Sequence, residues 1–270
     1  MRYWTKRWEP IIGCDESMPC AKRCWAKREC HRLQHNPRVS DDLRDQLREA
    51  VTTEHGRPEW TGRWVVSDAA FEEPLHWLKP QTVAVCWRGD AFRPKVPYEW
   101  HLDLFGVMAE ATQHTYLLLT KHPQSMVDSA LLYRAEGLAL DDSTPNPFQS
   151  VWFGTSISTT AEGERLIPSL LRLAVRGYHT WLSAEPLLGP VTLELSPGNR
   201  WGVHTDLAGV IVGAETGPDA RPCDPDWMRA IRDQCAEYDI PFYLKQLDAR
   251  GNRELDASEH NDLPWEGSER

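Results

Sequence analysis

From residue 82 onward, short apolar runs alternate with longer helix-like stretches, and this alternation limits the chain to few folds. The runs at 82–87, 115–120, 151–156, 179–184, 208–213 and 241–246 are rich in β-branched and aromatic residues and read as strands. The intervening segments 98–111, 123–136, 161–175 and 224–238 read as helices. The last has Asp224 as its N-cap and Pro225 in its first position. Strands this continuously apolar imply a parallel α/β sheet covered on both faces. With one more strand expected at 8–12, a barrel or opened barrel suits the count better than a small doubly wound sheet, which stays the alternative.

The expected strands end on polar or small residues. Arg88-Gly89-Asp90, Thr120-Lys121-His122, Thr155-Ser156-Ile157-Ser158, Ser183-Ala184-Glu185-Pro186, Ala214-Glu215-Thr216-Gly217 and Lys245-Gln246 stand at the six C-terminal ends. In parallel α/β folds these ends converge on one face, where ligands bind. Any one of these residues can serve as a helix cap or a rim ion pair. Taken together they point to a site, because a carboxylate after a buried strand is costly unless paired.

Ahead of this region lies a compact thiol triplet, Cys14, Cys20 and Cys24. It follows the first expected strand and therefore shares the face of the polar strand ends. Three thiolates leave one iron of a four-iron cluster open to a small molecule. Zinc is the competitor, but it favours four ligands and paired C-x-x-C spacing. Here five and then three residues intervene, and only Cys30 or His31 could complete a set. Seven cysteines, four of them before residue 31, argue against a secreted disulfide framework. Cys86 and Cys235 are expected in the core.

Segments 21–33 and 41–51 read as polar helices. Residues 52–81 read as an irregular insertion packed by Trp60, Trp64 and Trp77, and 248–270 as an acidic, mobile tail anchored by Trp265. No apolar run approaches the ~20 residues that cross a bilayer. With no signal-peptide pattern at the N-terminus, the chain is expected in the cytoplasm without a membrane partner. The net charge of −10 opposes a grip on nucleic acid, yet residues 1–38 hold nine Lys/Arg against four acids. That segment is +5 and the rest −15, a local field suited to phosphate or carboxylate, or simply a solvated helix face.

The chain resembles the phage- and prophage-encoded three-cysteine proteins grouped with radical S-adenosylmethionine (SAM) enzymes, a group that includes thymidine-hypermodifying isomerases. The likeness rests on Trp8-Glu9-Pro10-Ile11-Ile12-Gly13-Cys14, on Cys20 and Cys24 followed by Trp25-Ala26, and on Leu182 to Pro190, Val210 to Gly217, Ala220-Arg221-Pro222 and Phe242 to Gln246. It covers roughly residues 4–247. The resemblance implies a partial (β/α) barrel of radical SAM type at 1–247, with an N-terminal loop binding a [4Fe-4S] cluster through Cys14, Cys20 and Cys24. SAM on the open iron would be cleaved to a 5′-deoxyadenosyl radical, the electron coming from a donor such as flavodoxin or ferredoxin. The reaction implied is isomerisation (lysis is possible in the group) of an amino-acid-modified thymine base in phage DNA, in host cytoplasm. Gly89 and Asp90 would meet the methionyl amine; Ser156 and Ser158 suit ribose or carboxylate oxygens. Lys121, Glu185, Glu215 and Lys245 would line the interior as catalytic candidates. The spacing departs from the common radical pattern of three and then two intervening residues, and Arg23 precedes the third cysteine where an aromatic is usual. The contrasting reading is a zinc-stabilised, non-catalytic α/β nucleic-acid accessory protein.

Overall fold

The computed structural model describes residues 2–17, 19–135, 147–193, 207–217 and 219–266. Strand β1 (Lys6–Trp8) leads through Pro10 into β2 (Ile11–Gly13). Helices α1 (Trp25–Gln34) and α2 (Asp41–Ala50) follow, then β3 (Val51–Glu54), β4 (Arg57–Trp60), β5 (Trp64–Val66) and the short α3 (Asp68–Phe71). Strands and helices then alternate: β6 (Thr82–Val85), α4 (Tyr98–Glu110), β7 (Thr115–Thr120), α5 (Pro123–Ala135), β8 (Val151–Ile157), α6 (Thr160–Ala174) and β9 (His179–Ala184). The series ends with β10 (Gly209–Gly213), α7 (Pro225–Glu237), β11 (Phe242–Gln246) and a hairpin of β12 (Glu254–Leu255) with β13 (Ser258–Glu259). The expected end of α5 at Glu136 and the tail residues 267–270 lie outside the described residues.

Seven strands pair in the order β1-β6-β7-β8-β9-β10-β11, every pair parallel. The order follows the chain without reversal. A doubly wound sheet reverses at a switch point, whereas a barrel does not. The sheet is therefore the open, partial (β/α) barrel expected.

Successive strand residues point to opposite faces, so each strand splits into two sets. One set, with Val83, Tyr116, Leu118, Phe153, Leu182, Val210 and Leu244, packs against helix residues such as Leu104, Met126, Leu170 and Ile231 in the main core. The other set holds Leu117, Trp152, Trp181, Ile211 and Tyr243, and these close on Tyr3 and Trp265 as a second core. Both faces are covered as expected, but helices cover only one. An aromatic plug drawn from both ends of the chain fills the other.

Three segments differ from expectation. The strand expected at 8–12 is broken at Pro10, which cannot donate to a ladder. Its second half turns away to pair antiparallel with β5. Residues 52–81 are less irregular than expected, because β3 and β4 form a hairpin whose two-residue turn, His55-Gly56, has φ of 49° and 74°. The tail through residue 266 is folded: Leu255 and Trp265 are buried, and Leu244 donates its amide to His260 O at 2.9 Å. A Cβ on Gly209 would lie 2.3 Å from Pro264, so the tail lies directly on β10. Cys86 and Cys235 are buried as expected. Among the described residues no helix is long and apolar enough to cross a membrane.

Candidate functional site

The parity that builds the aromatic plug also builds a polar rim. Reading each inner set toward the C-terminal end gives Leu117-Leu119-Lys121, Trp152-Gly154-Ser156, Trp181-Ser183-Glu185, Ile211-Gly213-Glu215 and Tyr243-Lys245. Register aligns Ser156 with Ser183, and Ser183 with Ile211. Each series begins large and apolar and ends polar at one mouth.

There the side chains connect. Lys121 donates from Nζ to Ser156 O and Oγ at 3.3 and 3.4 Å, and Ser156 Oγ donates to Glu185 O at 3.3 Å. The Glu185 carboxylate accepts from Tyr3 OH and Ser183 Oγ, each at 3.1 Å, and pairs with Lys245 Nζ at 2.9 Å. Its Oε1 stands 2.7 Å from where a Cβ on Gly213 would be, so only glycine leaves it room. Burial, then the Glu185 charge, push the Tyr3 phenol well above its usual range, so it donates and stays neutral. Ser158 is buried in the turn that starts α6, its amide donating to Glu162 at 2.6 Å.

Glu215 stands apart from this chain of contacts. Arg221 grips it through Nε and Nη2, both at 2.8 Å, and Arg23 lies 3.7 Å away. The Arg221 hydrogen bonds hold its carboxyl below the usual range. Glu215 thus ties the segment after β10 to the cysteine loop through Arg23.

The cysteine loop lies across the mouth. Gly13 and Gly89 meet backbone to backbone: a Cβ on Gly89 would fall 2.1 Å from Gly13 O, and Asp90 N donates to that oxygen at 3.0 Å. Asp90 is buried. Its carboxylate accepts from Thr120 Oγ1 at 2.7 Å, Lys121 N at 3.0 Å and Phe92 N at 3.1 Å. It ties β7 to the loop after β6. Arg93, also buried, clamps the cysteine loop by bonding Asp15 and Ser17 Oγ, and donates to His122 Nε2 at 2.6 Å. Burial alone would raise Asp15, but the Arg93 and Ser17 bonds outweigh it and hold it at about 2. Burial, reinforced by Arg93, lowers His122 although Asp90 opposes, leaving a neutral imidazole to accept that bond.

Cys24 caps α1, its sulfur accepting from Lys27 N at 3.5 Å. It lies within electrostatic reach of both Cys14 and Cys20. Desolvation and then Asp90 push the half-buried Cys14 thiol up; neighbouring protein raises the Cys20 thiol although it is exposed, and Lys121 opposes that. Ligation therefore requires proton loss against these environments. Among the described residues no group of three or more His, Cys, Asp or Glu is arranged to hold a single metal ion. A single ion needs its sulfurs converging on one point. A four-iron cluster takes each thiolate on a different iron, so its sulfurs stand apart.

A family model described as a protein of unknown function (DUF5131) matches residues 1–264. The chain belongs to this family. No curated protein and no solved structure matches it. Within this DUF5131 chain, sequence reading missed Tyr3, Asp15 and Arg93. Tyr3 lies outside any periodic segment and Arg93 sits in a proline-bearing loop, so neither carries a local signal. The alternating inner set of each strand could have separated Ser156, Glu185 and Lys245 from their outward neighbours.

Proposed function

We propose that this chain is a radical SAM enzyme that rearranges an amino-acid-modified thymine base in DNA. The observation that carries the reading is the shared mouth. Gly13, directly before Cys14, meets Gly89 after β6, and Cys20 lies within electrostatic reach of Lys121, which links through Ser156 to Glu185 and Lys245. When bound, a [4Fe-4S] cluster with SAM supplies one-electron cleavage of the sulfonium, giving a hydrogen-abstracting 5′-deoxyadenosyl radical, with flavodoxin or ferredoxin as the electron source.

Cys14, Cys20 and Cys24 would hold the cluster. Arg93 fixes their loop through Asp15 and Ser17. Gly89, Ser156 and Ser158 would face SAM, while Asp90, already accepting three protein donors, acts by fixing the loop. Glu185 and Lys245 form one acid–base pair. The lysine side chain is 35% exposed, so it can deliver a proton to a substrate atom while Glu185 and Tyr3 hold the complementary charge and hydrogen. The radical takes a hydrogen atom from the substrate, and with 5′-deoxyadenosine released the rearranged product radical closes by a second electron from the donor and a proton, which Lys245 would supply.

The test is product analysis. Reduced, anaerobically reconstituted protein with SAM is expected to release 5′-deoxyadenosine. On DNA carrying the modified base it is expected to shift that base's chromatographic retention at unchanged mass. Protein with its full iron complement that leaves SAM intact would overturn the proposal; a lighter base would replace isomerisation by lysis.

A further inference from the structure

The basic excess near the N-terminus is not used at the mouth. Much of it gathers along the free edge of β1 and the adjoining face of α1. Trp4 lies between Arg2 and Arg7, whose guanidinium carbons stand 4.7 and 4.9 Å from its ring centre. Arg7 also reaches Trp25, at 5.4 Å, and Lys6 covers Trp77 at 4.3 Å. Trp25, Arg28 and Arg32 recur at three- and four-residue spacing on α1 and are exposed, so they share one helix face. Arg7 joins that face to the edge, pairing with Glu29. A cleft of about 420 Å³ runs along the edge, lined by Arg2, Trp4, Lys6, Arg7, Trp77 and Arg88 among others.

Two acids, Glu29 and Glu73, belong to this surface against six cations. Arg7 and Arg88 hold Glu29 at its carboxylate, with the Glu29 pKa lowered by those bonds despite its burial. The patch is therefore net positive on a chain whose total charge is −10. It is also aromatic. Trp25 is 48% exposed, an open ring beside guanidinium groups. Cations spaced along an edge suit successive phosphates, and exposed rings with cations beside them suit unstacked bases. An acidic protein surface would answer the charge but has no use for the open ring.

We propose that the β1 edge and the α1 face form a docking surface for a single-stranded segment of nucleic acid, phosphates along Arg2, Lys6, Arg28 and Arg32 and a base stacked on Trp25. Because Trp25 follows Cys24 directly, a strand held there passes beside the cysteine loop. The surface does not depend on the cluster; the preceding functional reading enters only in choosing DNA as the probe.

The test is anisotropy of a fluorescein-labelled, mixed-sequence DNA 16-mer titrated with the full chain, without SAM. Wild-type binding is expected to weaken at least about tenfold between 50 and 200 mM salt. The double substitution R2E/K6E is expected to cost about tenfold or more, and W25A about fivefold or more, with W25F restoring most of it. The reversal R172E/R176E, at the C-terminal end of α6 and the turn after it, is expected to leave binding unchanged, and iron content measured in parallel is expected to be the same in all variants. No binding by wild type, tighter binding of the matched duplex than of the single strand, or equal loss in the α6 control would overturn the proposal. So would capture of polyglutamate with the same affinity, which would make the surface a general polyanion face. Failure of SAM cleavage with intact DNA binding would remove the enzymatic reading alone.

Discussion

The two ends of the inner sheet face are made by the same strands and the same side-chain parity, yet they do opposite work. At the N-terminal end Trp152, Trp181, Tyr243 and Leu117 are fully packed against Tyr3 and Trp265. Trp181 spans this end, with Nε1 donating to Leu118 O at 3.2 Å and Trp152 O at 3.1 Å. At the C-terminal end the same faces carry Lys121, Ser156, Glu185 and Lys245, held by hydrogen bonds and partly wet. The lower half supplies the stability that lets the upper half carry charges at a mouth. The polar groups stand at the C-terminal ends of the same strands, not on separate elements.

If that division holds, substitutions in the lower half should cost folding and those in the upper half should cost chemistry. Trp181→Ala is expected to have the largest effect on stability, about 3–5 kcal/mol by chemical denaturation, because it empties the plug. Next comes Gly154→Ala. Its Cβ would stand 2.4 Å from the Trp181 ring, so the indole must shift, at about 1–3 kcal/mol in the same assay.

Glu9 belongs to neither half and gives an intermediate, pH-dependent effect. Burial raises its pKa from 4.5 to about 7, against opposition from Arg88. A folded-state pKa above the unfolded one means the native state binds the proton more tightly. Stability from this group is therefore present below about pH 4.5 and is lost as pH rises toward 7. Glu9→Gln is expected to flatten the fall in melting temperature between those values; an unchanged pH profile would show that Glu9 ionises freely.

A further effect on folding, about 1–2 kcal/mol, is expected from Lys245→Met, because it leaves the nearly buried Glu185 with Tyr3 and Ser183 as donors but without its cation. Its turnover is expected to fall at least about 100-fold, measured as modified base per 5′-deoxyadenosine released. A stable, fully active Lys245→Met would erase the distinction between the two ends.

The sequence made the six strands after residue 82 legible because each is a contiguous apolar run bounded by polar residues, and the parallel sheet follows from it. Their ends also pointed to one face, where side-chain contacts link Lys121, Ser156, Glu185 and Lys245. The break at Pro10 was hidden because Trp8 and the Ile11-Ile12 pair are apolar on both sides of it, and both halves are buried, though in different sheets. The β3–β4 hairpin was obscured by polar strands such as Thr52-Thr53-Glu54, although His55-Gly56 is a recognisable two-residue turn. Tyr3 could not be read locally at all. Its partner Glu185 is 182 residues away, and only the curvature of the sheet brings them together. The partners of Glu215 were hidden for a related reason: besides Arg221, six residues on, it pairs with Arg23, far away in sequence on the cysteine loop.

The central claim is that Cys14, Cys20 and Cys24 together hold a four-iron cluster above the polar mouth. The most direct measurement is iron and acid-labile sulfide per chain after anaerobic reconstitution, in the native chain and in Cys20→Ser. The account predicts about four of each in the native chain, with a reduced spectrum that SAM perturbs, and a marked loss of both in the variant. One tightly held zinc, or equal iron in the two proteins, would contradict it.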